Sequence, residues 1–189
     1  MKIGIFGGSF NPPHKMHKKI GLELIEKGYL DKVIYVPTGD KYQKNNLISS
    51  KDRYQMVTLM IQGEQDLFLS DYEINTNVVY TYQTLSHFKR KYPEDEIYFI
   101  CGSDNLLKFN TWKNYSYILE EYKIIVIKRN NDQVDEIVKN NKNIINANVT
   151  YSNLSSTKIR NLIKSCHKKN LLLYIDEKVM NYIEEKNLY

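Results

Sequence analysis

Short runs rich in Ile, Val, Tyr and Phe recur along the chain, and the stretches between them space their apolar residues as amphipathic helices do. Parallel strands joined by crossover helices produce this order, because a strand reaches a parallel neighbour only through a long connection. The strand candidates are Lys2 to Phe6, Lys32 to Val36, Leu67 to Ser70, Glu96 to Cys101, Lys123 to Ile127 and Asn148 to Tyr151, each bounded by Gly, Pro, Asn or Asp. Helical patterns run over His14 to Lys27, Ser50 to Gln62, Tyr80 to Lys91, Trp112 to Glu121 and Gln133 to Asn140, with two more at Ser156 to Ser165 and Asp176 to Glu185. The alternation predicts one α/β domain over residues 1–189, a doubly wound parallel sheet with helices on both faces and a helical portion from about residue 155.

At 189 residues, 42% hydrophobic and 26% charged, the chain can bury one sizeable core. Its first residues lack the longer apolar stretch of a signal peptide, and no segment reaches the length of a membrane span. The expectation is a cytoplasmic protein with no membrane partner. Cys101 and Cys166 have no CxxC spacing, so they are expected to be reduced thiols rather than zinc ligands. The net charge is +5, but the basic residues form no long tract. A small polyanion accounts for that balance as well as a nucleic acid does, and no nucleic-acid partner is expected.

In an open parallel sheet, ligands bind beyond the carboxyl ends of the strands. The first such loop reads Gly7-Gly8-Ser9-Phe10-Asn11-Pro12-Pro13-His14-Lys15-Met16-His17. Glycines let backbone amides approach a ligand, and the prolines delay the helix until His14. His14 and His17, three apart at a helix start, can share one face beside the positive end of the dipole, which makes an anion site. Taken alone, the pair reads equally well as two solvated helix residues. The zinc-protease reading lacks HExxH and a third ligand.

Late in the chain, Leu154-Ser155-Ser156-Thr157-Lys158-Ile159-Arg160 offers capping hydroxyls, free amides and a guanidinium at the start of another helical pattern. By itself this too is an ordinary capped helix with an exposed arginine. Gly102-Ser103-Asp104 follows the fourth strand candidate, and Arg129 follows the fifth.

Together these segments resemble the nucleotidyltransferase superfamily. The GGSFNPPH string is similar to its (H/T)xGH region as found in nicotinate-nucleotide adenylyltransferases, and SSTKIR to its (I/S)SSTxIR signature. Thr81-Tyr82-Gln83-Thr84 resembles the family's TYxT segment and Gly102-Ser103-Asp104 its GxD, so the likeness covers nearly the whole chain. It implies a Rossmann-like fold and transfer of AMP from ATP to nicotinate mononucleotide, forming deamido-NAD and pyrophosphate. Catalytic roles would fall to His14, His17, Ser9 and Arg160. Gly7, Gly8, Phe10, Lys44, Gly102, Asp104, Ser156 and Thr157 would hold ATP and its phosphates, and Thr84, Trp112 and Arg129 the mononucleotide. Trp112, the single tryptophan, would stack on the pyridine ring, although a lone Trp is also a common core residue. Mg2+ would be bound mainly through the ATP phosphates, with no protein metal cluster expected.

Three departures from the family pattern stand out. Met16 takes the place of a glycine between the histidines. The loop after the second strand lacks PPHK, so either Lys41 or Lys44 would supply the phosphate contact. Arg129 precedes Asn130-Asn131 rather than Pro-Gly. Alternative acceptors are nicotinamide mononucleotide or pantetheine-phosphate; a non-catalytic nucleotide- or nucleic-acid-binding protein is the rival of another class. A homo-oligomer stays open.

Overall fold

The computed structural model describes residues 1–41, 46–76, 80–129, 134–152, 154–165 and 168–189. Lys44 and Cys166 lie outside them. The strands β1 (Lys2–Gly8), β2 (Lys32–Pro37), β3 (Leu67–Leu69), β4 (Glu96–Gly102), β5 (Lys123–Ile127) and β6 (Ile144–Ala147) form one sheet in the order β3-β2-β1-β4-β5-β6. All five pairings are parallel. This is the Rossmann-like order, in which the winding reverses between β1 and β4 and opens a crevice there.

Side chains alternate strictly across the sheet because successive strand residues face opposite ways. Val33 and Tyr35 of β2, Tyr98 and Ile100 of β4, and Ile125 and Ile127 of β5 enter one core. There they meet α1 (Lys15–Glu26), α2 (Ser50–Ile61), α8 (Ser156–Lys164) and α9 (Glu177–Glu185) through Leu24, Met56, Ile159 and Val179. Ile34 and Val36, Ile97 and Phe99, and Ile124 and Val126 enter the other core. Its cover comes from α4 (Thr81–Lys91), α5 (Ser103–Leu106) and α6 (Tyr115–Glu121) through Leu85, Phe88, Leu106 and Ile118. Helices therefore cover both faces, and no helix among the described residues is long and apolar enough to cross a membrane.

The last strand lies earlier than Asn148 to Tyr151. Ile144 and Ala147 pair with Ile124 and Ile127 of β5, and the chain then leaves the sheet. Beyond that point no ladder continues: Asn148 N–H donates to the Tyr29 hydroxyl at 3.2 Å, Val149 N–H to the Ala147 oxygen at 3.0 Å and Thr150 N–H to the Glu23 carboxylate at 2.7 Å. Val149 and Tyr151 still pack on the core, so their apolar spacing belongs to a covering loop. Trp112 likewise precedes its expected helix. It ends a 3-10 turn at Phe109–Thr111, and Asn114 in left-handed backbone (φ 55°) delays α6 to Tyr115. The short helices α3 (Tyr72–Thr76) and α7 (Asp135–Lys139) complete the chain's connections, together with a 3-10 segment over Lys168–Leu173.

Candidate active site

The carboxyl ends of β1 and β4 open into a cleft of about 440 Å³. Gly7, Gly8, Ser9, Phe10, His14 and His17 of the first loop line it. Ser156, Thr157 and Arg160 border it from α8, and Gly102, Asp104 and Arg129 from the ends of β4 and β5. Thr84 and Trp112 complete the wall on the α4 side. Of the residues that the sequence put forward and the structure describes, all but Lys41 are thus in one cleft. Lys41 is exposed and does not border it.

The first loop is shaped by packing. Phe10 adopts left-handed backbone (φ 46°), which folds its ring beneath the loop against Phe6, Tyr35 and His17. Gly8 makes room for it, since a Cβ there would lie 3.1 Å from the Phe10 ring. His14 is the extended residue that caps α1, and its ring stacks on His17 with centroids 3.6 Å apart. Met16 turns away from the cleft and packs on the core.

The histidine pair is electrically neutral at pH 7. Burial and the nearby Arg129 charge bring His14 down to about 3, and burial, His14 and Arg129 hold His17 well below its ordinary value. Its tautomer is also set. The His14 backbone N–H donates to His17 Nδ1 at 3.1 Å, so the remaining proton of the neutral ring sits on Nε2 as a donor. Among the described residues, His14 Nδ1 is buried with no hydrogen-bond partner, as is Arg129 Nε. Two orphaned polar atoms beside one cleft are expensive unless a ligand satisfies them.

Among the described residues, positive charge at the cleft comes from Arg129 and Arg160. Arg129 pairs with Asp104 at 3.1 Å and lies over the Tyr151 ring. Gly102 allows the pair to close over the strand end, because a Cβ there would lie 2.4 Å from Asp104 and 2.7 Å from Arg129 Nε. Arg160 donates to the Asn11 main-chain oxygen at 2.7 Å and to the Thr157 hydroxyl at 3.2 Å. Ser156 donates its hydroxyl to the Pro12 oxygen at 2.8 Å. The two anion segments, separated by nearly the whole chain, are therefore bonded directly to each other. The Ser155 hydroxyl caps α8 by accepting from Lys158 N–H.

On the opposite wall, Thr84 is buried and donates its hydroxyl to Glu73 at 2.6 Å. Trp112 meets Phe109 and Phe99 with ring centroids 5.2 and 5.8 Å away, which supports it from behind while it borders the cleft. Among the described residues, the carboxylates that border the cleft are Glu73 and Asp104, one bonded to Thr84 and one paired with Arg129. Among the described residues no group of three or more His, Cys, Asp or Glu is placed to hold a metal. The oxygen donors that the cleft offers a hard divalent ion are these two carboxylates, Asp104 at the strand ends and Glu73 on the opposite wall. Cys101 is buried with its thiol pushed up to about 12, so it stays protonated.

Sequence reasoning passed over three residues. Glu73 lies in a stretch without a periodic pattern, and Asn11 was hidden inside a motif read for its glycines and histidines. Arg53 did leave a signal: it shares the spacing of Met56, Val57 and Met60, and a charge on the core face of a helix needs partners. Burial pushes Glu73 up to about 7. A carboxyl raised above its unfolded value stabilises the fold fully below about pH 4.5, and that contribution is lost as pH rises through about 7. Glu73→Gln should therefore melt above the wild type at pH 8, with the gap closing towards pH 5. A gap that stays constant across that range in paired melting curves would refute this.

A Rossmann-like sheet with a cleft lined by anion-binding groups at its switch point defines a nucleotide-binding α/β protein. The chain belongs to the cytidylyltransferase-like family, whose model matches residues 5–162. A relative from Clostridium novyi (strain NT), named "probable nicotinate-nucleotide adenylyltransferase", is 36% identical over 199 residues, covering 100% of this chain and 98% of that protein. A protein of the same name from Endomicrobium trichonymphae is 38% identical over 191 residues, with the same coverage. Among solved structures, Plasmodium falciparum nicotinic acid mononucleotide adenylyltransferase complexed with NaAD shares the fold. Its TM-score is 0.86 at 24% identity, covering 100% of this chain and 97% of that one.

Proposed function

We propose that the protein transfers AMP from ATP to nicotinate mononucleotide, forming deamido-NAD and pyrophosphate. The observation that carries this reading is the junction of the two anion segments, Ser156 on Pro12 and Arg160 on Asn11, beside the stacked histidines. The relatives of the same length, matched end to end, support the choice of acceptor.

In this reaction the mononucleotide 5′-phosphate attacks the α-phosphorus of ATP in line, a new P–O bond forms, and the bond to the β-phosphate oxygen breaks. The nucleophile is already an anion, so no general base is required. What the protein must do is align two repelling polyanions and stabilise charge as it moves. His17, with Nε2–H as its free donor, and His14 are assigned to the α- and β-phosphate oxygens. Ser9 and the amides of Gly8 and Phe10 are assigned to the transferring phosphate. Arg160, Ser156 and Thr157 would receive the departing pyrophosphate, the two hydroxyls exchanging their internal bonds for phosphate oxygens. Gly7 and Gly102 would let the nucleotide lie close to the strand ends beside Asp104. Thr84, Trp112 and Arg129 would hold the mononucleotide, the buried Thr84 hydroxyl being oriented by Glu73. Magnesium entering with ATP would neutralise part of the phosphate charge.

Pyrophosphate release, measured with ATP and each acceptor in turn, tests the assignment. Nicotinate mononucleotide should give turnover that nicotinamide mononucleotide and pantetheine-phosphate do not match. ATP binding without release for any acceptor would overturn it. Trp112→Ala removes a ring supported by Phe99 and Phe109 and should raise the mononucleotide KM roughly 10-fold, the scale of one lost stacking partner. The KM for ATP should change far less; equal rises in both would count against stacking.

A further inference from the structure

Asn11 is assigned no part in the chemistry described above, yet both ends of its side-chain amide are bonded. It is 3% exposed. Its side-chain oxygen accepts from the Tyr189 hydroxyl at 3.0 Å and from the Ile48 amide at 3.3 Å. Its side-chain nitrogen donates to the Asn46 carbonyl at 2.8 Å. These bonds leave the amide group one orientation. The main-chain oxygen of the same residue accepts from Arg160 at 2.7 Å.

We propose that Tyr189 is a positioning residue for the phosphate site: acting through Asn11, its hydroxyl fixes the carbonyl that aims the Arg160 guanidinium into the cleft. The proposal deepens the nucleotidyl-transfer reading and rests on it. Tyr189 is itself firmly placed. The buried face of α9, Val179, Met180 and Ile183, sits in the large core, and Tyr182 donates to Asp52 of α2 at 2.9 Å. After α9, left-handed backbone at Asn187 (φ 48°) and a bond from the Leu188 amide to the Ile183 oxygen turn the chain back towards Asn11. The Tyr189 ring packs on that core, so its position does not depend on its hydroxyl. Burial also pushes the phenol upwards, which keeps the hydroxyl a neutral donor at working pH. The path from hydroxyl to guanidinium thus runs through one residue, with the ring anchored by packing at one end and the arginine aimed at the other.

The test is a double-mutant cycle on ATP affinity, measured by titration calorimetry with ATP alone. It uses the wild type, Tyr189→Phe, Arg160→Ala and the double variant. Tyr189→Phe keeps the ring and should weaken ATP binding roughly 3- to 10-fold, as expected for one neutral hydrogen bond. Arg160→Ala should weaken it more. In the Arg160→Ala background, adding Tyr189→Phe should change affinity by less than about 2-fold, because the group that Tyr189 positions is gone. Equal losses in both backgrounds, or no loss in the single variant, would overturn the proposal. Melting curves accompany each protein, and a Tyr189→Phe effect that tracks a fall in melting midpoint, with ATP affinity of the folded fraction unchanged, also overturns it. A wild type that binds ATP but releases no pyrophosphate would sink the proposed activity and leave this test intact.

Discussion

Replacing His17 with Ala is expected to lower turnover by about 10²- to 10³-fold, the usual loss when one preorganised donor to a developing charge is removed. The argument starts from the ring's surroundings. Phe6 and Phe10 meet it edge-on, His14 stacks on it, and the His14 amide occupies Nδ1. Such a ring cannot rotate to offer its other nitrogen, so Nε2–H is the donor, aimed without reorganisation at the moment of reaction. Because burial keeps the ring neutral, the loss should persist across the neutral range instead of following an imidazole titration. Gln at this position, whose amide nitrogen reaches about as far as Nε2, should recover part of the activity; Asn, which reaches only as far as Nδ1, should not. The check is kcat for pyrophosphate release beside a melting curve for each variant. Turnover of the Ala variant within a few-fold of the wild type would remove His17 from the chemistry.

The sequence made the site's members legible more readily than their arrangement. Strand β5 appears at its expected limits, Lys123–Ile127, because an unbroken apolar run buried on both faces has one clear reading. The edge strand was harder. Ile144 to Ala147 and Asn148 to Tyr151 both carry short apolar spacing, and only pairing with β5 decides between them. The doubly wound sheet was expected, but local pattern did not say that its winding reverses between β1 and β4, the place that creates the cleft. Motifs named His14, His17, Ser156 and Arg160, since phosphate binding constrains residue type directly. The residues that hold them were less visible, because a supporting hydrogen bond constrains only geometry. Asn11 is bonded to Arg160 and Tyr189 at the other end of the chain, and Glu73 to Thr84 on the next helix, and no spacing rule announces such bonds. The paired histidines also show what pattern reading leaves out: placement at a helix start suggested an anion site, and only the burial beside Arg129 shows that both rings are neutral in it, donors without charge.

Arg53→Met should cost about 3–5 kcal/mol of stability, the range for breaking a buried charged network from one side. Arg53 is 0% exposed and sits on the core face of α2, where a charge is tolerated only if its hydrogen bonds are made. Its guanidinium donates to the Ile48 oxygen at 3.1 Å, the Ser9 oxygen at 3.0 Å, the Thr38 oxygen at 2.6 Å and the Thr38 hydroxyl at 3.2 Å. Asp40 lies 3.5 Å away as its counter-charge. One side chain thereby ties the loops after β1 and β2 to α2. Met retains most of the stem's packing, so the loss isolates the orphaned carbonyls and Asp40 left without its partner charge. For a chain of this length the melting midpoint should fall by on the order of 10 °C. Activity should fall further than the unfolded fraction explains, because releasing the Ser9 carbonyl loosens the loop that presents Ser9 and the histidines to the cleft. Arg53→Lys restores charge without the planar fork and should recover less than half of the lost stability. If the Met variant melts within about 2 °C of the wild type, the four bonds are not holding these loops, and the rigidity assigned to the first loop would have to come from the Phe10 packing alone.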